Sequence, residues 1–160
     1  MGKEIIIVTI SLGNDGAERI LTELARQWHH DGHEITVIQT SPNRYGTEYA
    51  LPEGIEQIQI HTTSSNKILR FLQEIKALIG ILKQRPNATC LSFLSASSFI
   101  LAISSWFVKN RMVFSERNNP RKVPVGKHQQ ILRNFAFRFA DAIVFQTEDA
   151  KSYLDRKSVV

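Results

Sequence analysis

Along this chain, segments with the apolar pattern of a strand alternate with segments with the apolar pattern of a helix. Residues 4–10 are a continuous β-branched run, which is typical of a strand buried on both faces of a parallel sheet. From Ala17 to Trp28 the apolar residues recur at helical spacing, which predicts a helix with one buried stripe. Asn14 or Asp15 would cap the start of this helix, and Gly32 would end it. The chain therefore opens with a strand and a helix.

The same alternation continues to the end of the sequence. Further strands are predicted at 35–38, 58–60, 88–93, 112–114 and 142–145, and further helices at 68–82, 97–108, 126–139 and 148–154. The predicted core face of the second helix consists of Ile68, Leu72, Ile75, Ile79 and Leu82. Strands that alternate with helices over this length predict an α/β fold with right-handed crossovers, a Rossmann-like doubly wound parallel sheet with helices on both faces.

The composition bounds the size and the class of the protein. A chain of 160 residues, 42% of them hydrophobic, can bury a real core, so we expect a single domain over residues 1–160. One cysteine excludes an internal disulfide framework and a four-cysteine zinc site. The first residues lack the features of a signal peptide, and the longest apolar stretch, 99–108, is too short to span a bilayer. These features favour a cytoplasmic domain.

The positive charge of the chain is concentrated in one segment. There are 20 Lys and Arg residues against 15 Asp and Glu, and residues 109–138 hold eight of the basic ones but a single acidic residue, Glu116. Such a segment suits a phosphate-bearing ligand or an anionic membrane surface, and it is compatible with non-specific binding to nucleic acid. A solvated basic face without a ligand is the simpler alternative.

Open parallel sheets bind ligands at the carboxyl ends of their strands, and the loops there hold the candidate site residues. Gly13 and Gly16 flank the turn into the first helix, where the backbone can approach a ligand closely and free N–H groups attract an anion. A tight turn that needs glycine would explain the same residues. Ser95, Asn118 and Gln146 follow other predicted strands, and we expect them to line the crevice.

The loop at 115–120 combines a carboxylate, a guanidinium and two amides ahead of a proline. Arg117 is suited to clamp a phosphate because its donors form a fork. Glu116 could orient a sugar hydroxyl or act as a general base. A local ion pair between Glu116 and Arg117 is the structural alternative.

Several common kinds of site find no support in the sequence. Cys, His, Asp and Glu residues do not cluster at metal-ligand spacing, so no metal site is predicted. Neither a nucleophile elbow nor a P-loop is present. His33 is expected to hydrogen-bond locally, and Cys90 is expected to lie in the core.

Five short motifs occur in a fixed order along nearly the whole chain. They are Gly16-Ala17-Glu18-Arg19, then Gly32-His33-Glu34 with the following strand, Leu91-Ser92-Phe93-Leu94, Ser115-Glu116-Arg117-Asn118-Asn119-Pro120, and finally Asp141-Ala142-Ile143-Val144 with Gln146-Thr147. No single motif is specific. Together they resemble the N-terminal domain of family 4 glycosyltransferases, which have the GT-B fold, and in particular the branch that builds bacterial surface polysaccharides and lipid-linked oligosaccharides.

The resemblance implies an enzyme that moves a sugar from a nucleotide-sugar, such as a UDP- or GDP-sugar, to a saccharide or lipid-linked acceptor with retention of configuration. No bound cofactor and usually no metal are implied. The N-terminal domain would hold the acceptor, and a second domain would bind most of the donor. Residues 157–160 look like a strand just beginning. We therefore expect the donor-binding domain to be absent from this chain, which would leave the chain catalytically incomplete alone.

The resemblance also implies roles for particular residues. Gly13 and Gly16 would approach the donor diphosphate, although Asp15 stands where the family has the first glycine of Gly-Gly-Ala-Glu-Arg. Glu116 and Arg117 stand where many relatives have a histidine that meets the donor sugar, and they are the candidate catalytic residues. The basic helix 126–139 could contact the inner face of a membrane, or it could be an ordinary amphipathic helix packed on the sheet.

Two other functions are compatible with the sequence. One is a non-catalytic α/β binding or regulatory module that uses the same crevice without transferring a group. The other is a nucleic-acid-binding domain that uses the charge of residues 109–138 and would bind with strong salt dependence. The order of the motifs favours the glycosyltransferase, with no nucleic acid among its partners.

Overall fold

The computed structural model describes residues 2–13, 16–41, 49–93, 95–116 and 126–155. The strands are β1 (Glu4–Thr9), β2 (Glu34–Gln39), β3 (Glu56–Gln59), β4 (Thr89–Ser92), β5 (Arg111–Glu116) and β6 (Ala142–Phe145). The helices are α1 (Gly16–His30), α2 (Lys67–Gln84), α3 (Ser95–Ser104), α4 (Lys127–Phe137) and α5 (Glu148–Asp155), with a short 3₁₀ helix, Ser105–Phe107, directly after α3. Strands and helices therefore alternate as the sequence predicts.

The strands form one sheet in the order β3-β2-β1-β4-β5-β6, and every neighbouring pair is parallel. The apolar run of β1 lies near the centre, where Ile5 is opposite Ile35 of β2 on one side and Thr89 of β4 on the other. β1 is apolar on both faces because residues of the two faces are buried in two separate cores, one on each side of the sheet. The observed sheet confirms the predicted Rossmann-like α/β fold.

The helices lie on both faces of the sheet, as predicted, but unequally. The steps from β3 to β4, β5 and β6 all move in one direction across the sheet, whereas the step from β1 to β2 moves in the other. Right-handed crossovers therefore place α2, α3 and α4 on one face and α1 on the opposite face. One core packs Ile6, Cys90 and Phe114 against the three helices, and a second packs Ile7 and Leu91 with α1.

An open groove remains on the α1 face of the sheet. It has a volume of about 540 Å³ and runs along β4, β5 and β6 beside α1. Its apolar lining includes Trp28, Leu91, Val113 and Val144. α1 and the sheet thus leave part of this apolar face accessible to solvent.

The end of α1 shows how the local sequence sets a helix boundary. Gly32 has φ of +84°, and its N–H donates to His29 O at 3.0 Å, while the His33 N–H donates to Trp28 O at 2.9 Å. These two bonds form a Schellman motif, which favours glycine at the left-handed position. The Lys3 N–H donates to His33 Nδ1 at 3.0 Å, so His33 makes a structural contact.

Charged and amide side chains tie the amino edge of the sheet together. Arg85, at the end of α2, contacts Glu56 at 2.6 Å and Glu4 at 3.3 Å. Asn110 Nδ2 donates to Arg85 O at 2.6 Å and to Ala88 O at 3.0 Å. These bonds give hydrogen-bond partners to the carbonyls of Arg85 and Ala88, and buried backbone carbonyls need such partners.

The bounds of several elements differ from the prediction. The predicted helix 97–108 is α3 plus the 3₁₀ helix, and the basic helix spans Lys127–Phe137 instead of 126–139. β5 extends to Glu116, so this residue ends a strand instead of lying in a loop. The predicted caps Asn14 and Asp15 and the predicted strand start at 157–160 lie outside the described residues.

Within the described residues, no helix has the length and apolar content needed to cross a membrane.

The core face of α2 is shifted from the predicted stripe. Ile75 and Leu82 are buried as expected, but Ile68 and Leu72 are 71% and 54% exposed, and Leu78 is fully buried instead. Phe71, one residue before Leu72, packs against the core, so this turn of α2 is covered on another side. The buried stripe passes through Phe71, Ile75, Leu78 and Leu82, Leu72 lies beside it, and Ile68 lies in the first turn before it.

Cys90 lies on β4 in the centre of the core, as the sequence predicts. Its side chain is fully buried, and burial is the main reason that the pKa of the thiol is raised to about 12. The thiol is therefore protonated and shielded from solvent, which marks it as a packing residue.

Leu78 and Leu72 provide a matched test of the observed face of α2. Leu78→Ala should lower the free energy of unfolding by about 2–5 kcal/mol, because it opens a cavity in the core. Leu72→Ala should change it by less than about 0.5 kcal/mol, because the side chain is already exposed. Urea denaturation of both variants is the measurement, and equal destabilisation would contradict the observed orientation.

Glu74 provides a test by pH. Burial raises the pKa of Glu74 above its ordinary value of 4.5, against the opposing effect of Arg70. The folded chain thus retains this proton to higher pH than the unfolded chain, so the contribution of Glu74 to stability falls as pH rises above about 4.5. Glu74→Gln should lack that decline. Denaturation of both proteins from pH 4 to 7 should show the variant gaining relative to the parent, whereas parallel curves would contradict this.

Candidate functional site

The strand order reverses between β1 and β4, and in an open parallel sheet a reversal of this kind is where a ligand crevice is expected at the carboxyl edge. The chain leaves β1 toward α1 on one face and leaves β4 toward α3 on the other face. Loops that diverge in this way leave a gap between them, which is the usual ligand position in open parallel sheets. The N-termini of α1 and α3 both lie at this edge, and the positive end of a helix dipole favours an anionic ligand there.

Buried polar side chains are concentrated at the same edge. Of the fifteen buried polar or charged residues in the described chain, seven end a strand, follow it directly or contact a residue that does. They are Thr9, Gln39, Thr40, Ser92, Ser98, Glu116 and Arg133. Buried polar groups need partners, so this layer holds the loops above it in defined positions.

The turn from β1 toward α1 is held by β2. Gln39 is 1% exposed, and its Oε1 accepts a hydrogen bond from the Leu12 N–H at 3.3 Å. The Ser41 N–H donates to Ile10 O at 2.8 Å, which extends the pairing past the ends of the strands. Beyond this turn Gly13 is buried, whereas Gly16 is exposed, with open space where a side chain would begin. The start of α1 is therefore accessible at the crevice.

The opposite wall of the crevice is the start of α3. Ser92 Oγ on β4 and Ser98 Oγ in the first turns of α3 are 2.6 Å apart, and both residues are buried. This bond ties the helix to the strand that precedes it. Ser95 is the first residue of α3, so its backbone lies at the carboxyl edge of the sheet.

Glu116 has a partner that the sequence did not suggest. Its Oε2 lies 3.9 Å from Arg133 Nε on α4, and both side chains are 4% exposed. Glu116 lies on the same face of the sheet as Phe114, two residues earlier, and Phe114 packs under α2–α4. Arg133 Nε has no hydrogen-bond partner in the described residues, so the guanidinium contributes mainly charge to this pair. The expected local pairing with Arg117 cannot be compared, because Arg117 lies outside the described residues.

Gln146 lies at the end of β6 and is exposed. It lines a cavity of about 370 Å³ together with Thr147, Glu148 and Lys151. Thr147 Oγ1 accepts from the Ala150 N–H at 3.2 Å and so caps α5. Asn118, which was expected to share the crevice with Gln146, lies outside the described residues.

A polar cavity at the ends of β2 and β3 was not foreseen. It has a volume of about 290 Å³, and its lining includes Thr40, His61, Arg70 and Glu74. Arg70 Nε lies 3.8 Å from Glu74 Oε1 within this lining. The residues come from three separate segments of the chain, and only the position of α2 brings them together, so no local motif could have indicated the cavity.

The described basic residues of 109–138 do not form one surface. Arg133 is buried against Glu116, and Arg111 lines the groove on the α1 face. Lys127 and Arg138 are exposed on α4, on the other side of the sheet. The basic residues of this segment that the structure describes therefore lie at several separate places. Among the described residues, no three His, Cys, Asp or Glu side chains lie close enough to hold a metal ion.

Solved structures of glycosyltransferases share this fold. The lipopolysaccharide outer core galactosyltransferase WaaB in its apo form has a TM-score of 0.74 and 11% identity, and the match covers 99% of this chain and 43% of that one. HepE of Anabaena, in complex with UDP and glucose, has a TM-score of 0.75 and 13% identity, with coverages of 96% and 41%. Sucrose-phosphate synthase of Thermosynechococcus elongatus has a TM-score of 0.75 and 7% identity, with coverages of 96% and 45%.

The chain thus spans less than half of the length of these three proteins. A search of curated protein sequences gave no match. The family model for Glycosyltransferase Family 4 matches residues 14–159, which run from the start of α1 through β4 and β6. This match extends over nearly the whole sequence, and the sheet order and helix positions agree with it: the chain belongs to glycosyltransferase family 4.

Proposed function

We propose that this chain is the acceptor-side half of a retaining glycosyltransferase. In this proposal residues 1–160 form one Rossmann-like domain, and a donor-binding domain lies outside the chain. The enzyme would transfer a hexosyl or N-acetylhexosaminyl group from a UDP- or GDP-sugar to a saccharide or lipid-linked acceptor in the cytoplasm. The supporting observation is the crevice between β1 and β4, in a chain that matches the family model over residues 14–159. Complexes of HepE with UDP and with UDP-glucose support a nucleotide-sugar donor.

The start of α1 is suited to face the diphosphate of the donor. When the bond from the sugar to the diphosphate breaks, negative charge builds on the diphosphate and positive charge on the sugar. Unpaired N–H groups at a helix N-terminus stabilise the negative charge without reorganising during the reaction. Gly16 is exposed with free space beside it, and Gly13 precedes it in the same turn. Closure of the second domain over the crevice would exclude water that could hydrolyse the donor.

Glu116 is better suited to a positioning role than to proton transfer. Its carboxylate is 4% exposed and lies against Arg133, so a ligand in the crevice has little access to it. Arg117 follows it directly in the sequence. We infer that the Glu116–Arg133 pair anchors the start of the segment that carries Arg117 and Asn118. Arg117 would then supply positive charge to the diphosphate, and Ser95, Asn118 and Gln146 would contact the acceptor side.

The decisive experiment compares the 160-residue chain with the polypeptide that includes whatever the gene encodes after Val160. Each would be incubated with labelled UDP- and GDP-sugars and with saccharide and lipid-linked acceptors. We expect transfer only with the longer protein, because the short chain lacks the surface that closes over the donor. Binding of a nucleotide-sugar without transfer by either protein would favour a non-catalytic binding module. Transfer by the 160-residue chain alone would show that it is not incomplete.

Arg117→Ala in the transferring protein should reduce kcat by about a hundredfold, because one preformed cation for the leaving diphosphate is lost. The melting temperature should change little. Arg26→Ala on α1 is the matched control, since Arg26 is exposed and pairs only with its neighbour Glu23 at 2.7 Å in the described contacts. An unchanged kcat for Arg117→Ala would show that the loop after β5 has been misassigned.

Arg133→Met should lower the free energy of unfolding by about 3 kcal/mol, because the Glu116 carboxylate then remains buried without this cation. Adding Glu116→Gln should recover part of that loss, since the neutral amide is less costly to bury. Urea denaturation of the two single variants and the double variant gives the coupling energy between the sites. Strictly additive effects would mean that the pair contributes no interaction.

A further inference from the structure

The polar cavity at the carboxyl ends of β2 and β3, here called the β2–β3 cavity, has the size of a small-ligand site. Thr40 follows β2 directly, Ile60 follows β3 directly, and Arg70 and Glu74 reach the cavity from α2. Its volume of about 290 Å³ is close to the lower end of the range for such sites, about 300–1,000 Å³. The cavity therefore has room for one small molecule.

The carboxyl of Glu74 lies on the buried side of this cavity. The Glu74 side chain is 11% exposed, whereas that of Arg70 is 45% exposed. Arg70 Nε lies 3.8 Å from Glu74 Oε1, which is well beyond the length of a charge-assisted hydrogen bond, about 2.7–2.9 Å. Among the described residues, the Glu74 carboxyl has no closer polar partner. A gap thus separates two groups that could each bond to a ligand.

Keeping a carboxyl at this position costs stability. Burial raises the pKa of Glu74 against the opposing effect of Arg70, so the ionised form is less favourable in the folded chain than in the unfolded one. A glutamine would occupy nearly the same space without a charge to bury. A buried ionisable group that lowers stability and also lines a cavity is typical of a functional site.

The lining of the β2–β3 cavity suits an uncharged polyol better than an anion. An anion drawn to the Arg70 guanidinium would also meet the Glu74 carboxylate, whose charge repels it. Hydroxyl side chains from the other two segments, among them Thr40 and Thr62, can both donate and accept hydrogen bonds. Ile60 adds an apolar side chain to this lining. Hydroxyl groups around an apolar C–H face are what a sugar ring presents.

We propose that the β2–β3 cavity binds one uncharged sugar ring through a pair of neighbouring hydroxyl groups. One hydroxyl would donate to the Glu74 carboxylate and the other would accept from the Arg70 guanidinium, so the ligand bridges the 3.8 Å gap between them. The hydroxyls of Thr40 and Thr62 would contact the remaining ring oxygens. The Glu74 carboxyl thereby gains a hydrogen bond that the described residues do not give it.

The position of the cavity indicates which sugar this is. β2 and β3 are the first and second neighbours of β1 on the side away from β4. Because neighbouring strands are about 4.8 Å apart, the cavity lies about 10 Å from the gap between β1 and β4. With transfer at that gap, a ring in the cavity is a further unit of the acceptor, beyond the unit that receives the new bond. This assignment to the acceptor rests on the proposed function, whereas binding of the ring does not.

Binding can be measured on the 160-residue chain without any transfer. The probes are the methyl glycosides of glucose, galactose, mannose and N-acetylglucosamine, with inorganic phosphate as the anionic competitor. Saturation-transfer NMR detects binding, and titration of protein resonances gives the dissociation constant. We expect at least one of the four glycosides to bind at millimolar concentration, and an equal concentration of phosphate should not displace it.

Variants of the two charged residues test whether the ring lies in this cavity. Glu74→Gln should weaken binding about tenfold, because a charged acceptor is replaced by a neutral one. Arg70→Lys should weaken it about fivefold, because the charge remains but the forked donors are lost. Glu23→Gln on α1 is the matched control, since Glu23 also pairs with an arginine, at 2.7 Å, but is exposed on the opposite face of the sheet. Above pH 4.5, Glu74→Gln should be at least as stable as the parent, so unfolding would not explain its loss of binding.

The inference is overturned by any of three results. They are the absence of binding by all four glycosides, equal binding by the parent chain and Glu74→Gln, and displacement of the glycoside by an equal concentration of phosphate. In the longer protein, Glu74→Gln should raise KM for acceptors of two or more sugars and leave kcat nearly unchanged. Binding that depends on Glu74, without transfer by the longer protein, would contradict the proposed function and leave the sugar site standing.

An unchanged KM for the longer acceptors, together with binding that depends on Glu74, would show that the ring does not belong to the acceptor.

Discussion

Parallel pairing of β1 with both β2 and β4 is the constraint on which the rest of the structure depends. Because all six strands point the same way, every strand delivers its carboxyl end, and every following helix its N-terminus, to one edge of the sheet. The order of the strands around β1 then separates the loops that leave β1 and β4. The crevice, the accessible start of α1 and the division of the helices between two faces all follow from this arrangement.

The two edges of the sheet use polar groups in different ways. At the amino edge, Arg85 and the Asn110 amide nitrogen link strands to the end of α2 through contacts of 2.6 to 3.3 Å. At the carboxyl edge, buried groups such as Gln39 and the Ser92–Ser98 pair support the loops that follow the strands. The side-chain contacts at the amino edge therefore join secondary-structure elements to one another, whereas those at the carboxyl edge hold loops in place.

Local patterns in the sequence were sufficient to predict the strands and the end of α1 at Gly32. Both β-branched runs and a glycine at a helix end act through residues that are near in the sequence. Local patterns misjudged Ile68 and Leu72, whose exposure depends on which side of α2 the sheet and α3 cover. They also missed Arg133 as the partner of Glu116, since the contact joins a strand end to the second turn of a helix that begins eleven residues later. Periodicity indicates which side of a helix is apolar, but the position of the neighbouring elements decides how much of that side is covered.

The position of Cys90 makes its thiol a natural probe of how often the core of the protein opens. This residue supplies the single sulfhydryl of the chain, and it lies on β4 opposite Ile6 of β1 and Met112 of β5. The sulfur lies in the core under α2, α3 and α4, so a reagent can reach it only when this core opens. The rate of alkylation in native buffer would therefore report how often these helices separate from the sheet, independently of motions in the loops at its edges.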